Sequence, residues 1–428
     1  MKYKAISKEL FEENRKKFCA SMTENSIAVF CSNDQMPTNS DGTMPFKQNS
    51  DLFWLSGVDQ EESKLVLFPD SSNPNHREVL FLKETSELIA IWEGAKLTKE
   101  QAFQTSGVRT VYWNSEFEKV FADLMAEAKN VFYNSNEHSR ASSKVETQTD
   151  RFNNWCKSTY SDKNYVKSAP ILHELRSVKH QIEIDLLQHA CNITEKGFRR
   201  VLDFVKPGVM EYEIEAEFMH EFLINRSKGF AYEPIIASGR NACVLHYIDN
   251  NQECKDGDVI LMDVGAEYAN YASDMTRCIP VSGRFSKRQK DVYNAVLRVM
   301  KETTNMLVPG TMLNDYHKEV GKVMQSELLA LGLLDQNDID KQDPKNPAYR
   351  KYFMHGTSHF LGLDVHDVGH WDTPIKEGMV FTCEPGIYIL EENLGIRLEN
   401  DLVITNDKPL DLMANIPLEA DAIEDLMN

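Results

Sequence analysis

The apolar positions of the first 160 or so residues predict a mixed α/β domain. Short apolar runs at Ile27–Cys31, Lys64–Phe68 and Val79–Leu82 predict strands, and the turn-forming S-S-N-P-N-H separates the last two. Helical periodicity follows at Ser115–Ala128 and Val145–Cys156. The polar, aperiodic stretch Thr159–Pro170 predicts a linker, so an N-terminal domain is expected over 1–165 and a second domain over 166–428.

The second domain carries a weak internal repeat. A helical pattern over Gln181–Phe204 stops at Pro207-Gly208 and a second helix is predicted at Tyr212–Asn225. The same order recurs with a helix from about Ser286, a stop at Pro309-Gly310 and a helix over Asn314–Leu331. Proline cannot continue a helix and glycine accepts the left-handed turn, so V-K-P-G-V-M and L-V-P-G-T-M read as equivalent punctuation. A β-hairpin pattern follows each pair, with arms Val259–Gly265 and Tyr271–Val281, then Met379–Glu384 and Ile396–Ile404. A duplicated α+β half folded face to face would bring the two hairpins together across a pseudo-twofold axis.

Each predicted hairpin holds two carboxylates. A turn centred between Tyr268 and Ala269 would set Asp263 opposite Asp274, and one centred between Glu391 and Glu392 would set Glu384 opposite Glu399. Single acidic residues in strands are usually solvated surface groups. Here the flanking positions are mostly apolar (Leu261, Met262, Val264), and paired buried carboxylates repel unless a cation joins them. His359 lies between the hairpins in H-G-T-S-H-F-L-G-L-D-V-H-D, with His355 and His366 on either side. Four carboxylates balance two divalent cations, and the imidazole adds no charge. Oxygen-rich ligation with one nitrogen favours Mn²⁺ and leaves Zn²⁺, Co²⁺ and Fe²⁺ open. Two such cations about 3.5–4 Å apart would stabilise a bridging hydroxide and polarise a carbonyl.

Charge and composition narrow the partners. The formal net charge of −19 repels phosphate backbones and anionic membranes, so neither nucleic acid nor membrane is an expected partner. The start of the chain has no apolar signal region and no run reaches the length of a membrane span. Eight scattered cysteines without a C-x-x-C suggest neither a zinc ribbon nor a disulfide framework, which fits a cytoplasmic location.

At M-D-V-G (262–265), S-D-M-T-R (273–277), the histidine segment (355–367), E-P-G-I-Y (384–388) and G-I-R-L-E-N-D (395–401), the chain resembles the pita-bread metallopeptidases, the group of methionine aminopeptidase, prolidase and aminopeptidase P. The front segments M-P-F-K-Q-N-S-D-L-F-W-L-S-G-V (44–58) and I-W-E-G-A-K (91–96), and the later A-S-G-R-N-A-C-V-L-H-Y (237–247), look like the aminopeptidase P branch. The resemblance implies an α/β N-terminal domain and an α+β pita-bread catalytic domain. It implies metal ligands Asp263, Asp274, His359, Glu384 and Glu399, and a hydrolase that removes the N-terminal residue when proline is second. It further implies His246 and His366 facing the substrate, His355 lining the proline pocket, Glu384 carrying the proton, Arg397 orienting a ligand carboxylate and Trp92 bordering the N-terminal side chain. A homodimer or homotetramer is expected, since relatives share rims between subunits. Arg240 stands where a smaller or acidic residue is expected, which keeps prolidase, the dipeptide-restricted form of the same chemistry, as the alternative; a catalytically silent binding protein of the same fold is the reading from a different class.

Overall fold

The computed structural model describes residues 2–428, which divide into two compact units, essentially residues 3–176 and 177–428. In the first, a six-stranded mixed sheet runs in the spatial order Thr110–Trp113, Glu78–Leu82, Lys64–Leu67, Ser26–Cys31, Asn130–Tyr133 and Asn164–Lys167. The three strands expected from apolar runs all form, and their alternating faces explain why. Ile27, Val29, Val66, Val79 and Phe81 turn to one buried cluster with Phe117, Phe121 and Leu124 from the helix Phe117–Glu127. The segment expected as a linker instead contributes an edge strand: Asn164–Lys167 pairs in parallel with Asn130–Tyr133. Its polarity follows from that edge position, where every side chain stays at least partly exposed.

The second unit contains the repeat. Helices Gln181–Phe204 and Glu211–Ile224 form the first pair, and Lys287–Thr304 and Leu313–Ala330 the second. Gly197 lets the first pair approach closely, because a Cβ there would meet the Phe218 ring at 2.7 Å. Both first helices end before Pro-Gly, at Phe204 and Thr304. A proline ring excludes helical geometry from the residue before it, so the chain leaves the helix early. Gly208 and Gly310 then turn left-handed, with φ of 94° and 92°.

Each pair leads to an interrupted hairpin. In the first, Val259–Val264 pairs antiparallel with Met275–Pro280, and Glu267–Tyr268 with Tyr271–Ala272. In the second, Val380–Cys383 pairs with Asn400–Val403, and Gly386–Ile389 with Leu394–Arg397. A third short strand flanks each, Ile235–Ser238 and Leu410–Asp411. The second hairpin has the expected register, since its ladder continues to Glu384 opposite Glu399. The first does not. Asp263 faces Thr276, and Asp274 lies two residues away on the same face. The turn is centred one residue later than expected, on Ala269 (φ 54°) and Asn270 (φ 68°), which together make the left-handed I′ arrangement favoured by strand twist.

Candidate metal centre

The acidic residues gather where the ladders break. Asp263 sits within the strand Val259–Val264, but Asp274, Glu384 and Glu399 occupy the gaps between paired segments. At the first gap the two arms nearly touch. A Cβ on Gly265 would lie 1.7 Å from the Ser273 carbonyl oxygen, so only glycine fits. The hairpins are tied directly to each other. The Glu399 N–H donates to the Thr276 carbonyl at 3.1 Å, and the Asp274 N–H to Asp401 Oδ2 at 3.0 Å. Arg277, wholly buried, donates to the carbonyls of Thr276 and Glu399 at 2.9 and 2.7 Å and to Asn400 Oδ1 at 2.6 Å.

The histidine segment docks on the same centre. The Ala272 N–H donates to the Gly362 carbonyl at 2.8 Å, and the Thr382 N–H to the His359 carbonyl at 3.1 Å. His359 Nε2 lies 3.4 Å from Asp274 Oδ2 and 3.7 Å from Glu384 Oε1. Its Nδ1 is 3.0 Å from the Phe360 carbonyl, which can only accept, so Nδ1 carries a proton and Nε2 is the nitrogen turned toward the carboxylates. Ligand atoms of Asp274, His359 and Glu399 all lie within 4.8 Å of one another, and all three residues are buried.

The charge balance fits a cation. Tyr232 OH is 2.7 Å from Asp263 Oδ1 and 2.6 Å from Asp274 Oδ1. One hydroxyl proton cannot satisfy two carboxylates. Burial is the main cause that pushes Asp263, Glu384 and Glu399 upward, Glu384 to about 7, and neighbouring carboxylates add to each rise. Burial alone would lower His359, but Asp274 and Glu384 outweigh it and carry the imidazole to about 9. A pocket that pushes its acids toward the neutral form and its imidazole toward the charged form is short of positive charge. The oxygen-rich donor set with one imidazole suits divalent cations.

Around this cluster the other expected residues take distinct places. Arg397 Nη2 lies 2.5 Å from Asp263 Oδ2, while Nη1 donates to Tyr388 OH at 2.9 Å and Nε to Thr276 Oγ1 at 3.1 Å. Thr276 Oγ1 donates in turn to Glu399 Oε2 at 2.7 Å, so one chain of bonds orients a carboxylate from each hairpin. His355 Nδ1 donates to the Gly356 carbonyl at 2.7 Å, leaving Nε2 to accept from Tyr388 OH at 2.8 Å. Burial, then Arg397 and His246, lower His355 to about 3, so it stays neutral. His366 packs edge-on against His359 with ring centroids 4.5 Å apart. His246 is exposed in the segment after the turn Gly239–Cys243. Trp92 belongs to the other unit, where it ends the helix Glu87–Trp92 and is 79% exposed.

The two domain models that match this chain are the metallopeptidase family M24, over residues 185–406, and the aminopeptidase P N-terminal domain, over 11–133. The chain belongs to metallopeptidase family M24. It is 34% identical to the Xaa-Pro aminopeptidase of Haemophilus influenzae, over 99% of this chain and 98% of that protein. It is 33% identical to the Xaa-Pro aminopeptidase of Escherichia coli over the same shares. Zinc-substituted E. coli aminopeptidase P in complex with product superimposes with a TM-score of 0.88 at 32% identity, covering 99% of each chain. This M24 chain therefore has the pita-bread fold that its motifs suggested, built from the two helix-pair and hairpin halves described above.

Sequence reasoning missed four residues of this M24 centre. Tyr232 bridges two carboxylates, Thr276 and Tyr388 extend the reach of Arg397, and Asp401 holds the Asp274 backbone. Thr276, Tyr388 and Asp401 all lie inside the quoted motifs, so their signal was proximity to the candidate ligands. Tyr232 stands some thirty residues before Asp263 and had no local signal.

Proposed function

We propose that the chain is a metal-dependent Xaa-Pro aminopeptidase, which hydrolyses the amide bond between an N-terminal residue and a following proline. The observation that carries this reading is the meeting of two carboxylate hairpins with His359, framed by His355, His366 and Arg397. Asp263, Asp274, His359, Glu384 and Glu399 would hold two divalent cations, most favourably Mn²⁺, which supply a Lewis acid and a water of lowered pKa. Glu384 takes the proton from the attacking water and delivers it to the leaving nitrogen. His246 and His366 donate to the oxygen of the scissile carbonyl as it gains charge. Neutral His355, held by Tyr388, lines the proline side, and Arg397 keeps Asp263 in place. Trp92 is the proposed apolar contact for the substrate's N-terminal side chain. Residues 166–428 are the proposed catalytic domain and 1–165 the accessory one.

We further propose a homodimer or homotetramer in a reducing, cytoplasmic setting. All eight cysteines are free thiols, and no helix among the described residues is long and apolar enough to cross a membrane. Light scattering that finds only a 49.1 kDa species would count against assembly. A narrower dipeptidase reading draws on Arg240, an exposed cation beside Asn393 at the tip of the second hairpin, which offers a partner for a proline carboxylate. Hydrolysis of Arg-Pro-Pro and Gly-Pro, with Mn²⁺ and with chelator, tests both. Chelator-sensitive cleavage of the tripeptide establishes the aminopeptidase. Preference for the dipeptide establishes the prolidase, and no cleavage of either refutes both.

A further inference from the structure

The segment that presents His246 is fastened at its base and middle to one buried carboxylate. Glu211 opens the helix Glu211–Ile224 and is wholly buried. Its Oε1 accepts from the Ser238 N–H at 2.8 Å, the Ser238 hydroxyl at 2.7 Å and Asn241 Nδ2 at 3.3 Å. Its Oε2 accepts from Tyr247 OH at 2.8 Å and the Gln252 N–H at 2.9 Å. Five donors from four residues thus converge on two oxygens. They enter from before the turn Gly239–Cys243, from within it, from the neighbour of His246, and from the far side of the loop. The Glu211 N–H also donates to the Gln252 carbonyl at 2.9 Å. A carboxylate is the one side chain that accepts this many bonds without offering a donor, and the helix N-terminus favours its charge. Tyr247 shows the strength of the tie: burial first, and then its hydrogen bond to Glu211, push its phenol up to about 12.

We infer that Glu211 is a positioning residue of the hydrolysis: by clasping residues 238–252 it fixes His246 on the substrate side. Glu211 is absent from the cluster of metal ligands, and its five bonds all run to this loop. The inference rests on the proposed role of His246, so the test separates the two. Replacing Glu211 by Gln keeps the shape but turns one acceptor end into an amide that faces the loop's donors. Tyr247→Phe removes a single donor, immediately beside His246.

The test is kcat/KM for Arg-Pro-Pro in E211Q, Y247F, H246A and the doubles E211Q/H246A and Y247F/H246A, with metal content measured on each. E211Q is expected to lose about ten- to a hundredfold with metal content unchanged, since a displacement of about 1 Å costs that much. Added to H246A, it should cost no more than about twofold further. A general loss of structure would not show that saturation, because it would lower the rate whether or not His246 were present. Losses that multiply in the double variants overturn the clasp while leaving His246 in its role. An unchanged rate in H246A overturns the role of His246 and the clasp with it. Should E211Q fold poorly, Y247F carries the same test through its own coupling to H246A.

Discussion

The two hairpins deliver equivalent carboxylates through different turns. The second closes over Leu390–Asn393, a looser loop with left-handed Asn393, and its register runs unbroken from Val380 opposite Val403 to Ile389 opposite Leu394. The first closes on the tight pair Ala269 and Asn270, and its two paired segments share a register displaced from the one that would oppose Asp263 and Asp274. Both still place their acids on a common face, because a displacement by two residues preserves the side-chain alternation. Facing carboxylates across a hairpin is thus not what the centre requires. It requires acids of the right parity at or near the breaks in each ladder, with the two hairpins bound to each other by Arg277, Arg397 and Thr276.

The largest expected asymmetry is chemical. Glu384→Ala should reduce turnover by about a hundred- to ten-thousandfold, because the proposed proton-transfer group lies on the second hairpin alone. In chelated protein its melting temperature should not fall below that of the parent, since Glu384 faces the centre beside His359. Full activity in that variant would remove Glu384 from the mechanism.

Next comes the bond that joins the hairpins. Arg397→Met should destabilise the protein by about 3–5 kcal/mol in denaturant titration, since it leaves the buried Asp263 carboxylate without its cation. A loss below about 1 kcal/mol would mean that Arg277, Thr276 and the backbone bonds hold the hairpins together without Arg397.

The pH dependence separates the loaded and chelated proteins. Without metal, Glu384 rises from the ordinary 4.5 to about 7. A raised folded-state value means that its contribution to stability is full below about pH 4.5 and is lost as pH climbs through about 7. Bound cations instead require ionised carboxylates. The gap in melting temperature between metal-loaded and chelated protein should therefore widen from pH 4.5 to 7; a constant gap would contradict this account.

The smallest effect tests the turns. Ala269→Gly should raise stability by about 1 kcal/mol, because alanine at φ 54° carries the left-handed penalty that glycine avoids. A loss of stability would show that the buried Ala269 methyl matters more than its backbone strain.

These contrasts also explain what could be read in advance. The second hairpin was legible because Glu391 and Glu392 mark an exposed, charged tip between apolar arms. The arms of the first were legible but its register was not, because Tyr268-Ala269-Asn270-Tyr271 contains no glycine, and alanine gives no warning of a left-handed turn. The helix Gln181–Phe204 was legible to both ends, since a 24-residue amphipathic run leaves little freedom. The strand Asn164–Lys167 was not, because an exposed edge needs no apolar alternation. The acidic and histidine cluster was legible by motif, whereas Tyr232 and Glu211 act through distant loops and became visible only in three dimensions.

Tyr232 offers one hydrogen to two acids, and that shortage has a history in every newly made molecule. Between leaving the ribosome and meeting its first ion, the chain holds its centre together against its own repulsion. During that interval the unfolded fraction is at its highest, and cellular proteases act on that fraction. The steady-state abundance of this protein should therefore track metal supply as well as synthesis, with starvation read out first as fewer molecules and only then as slower ones.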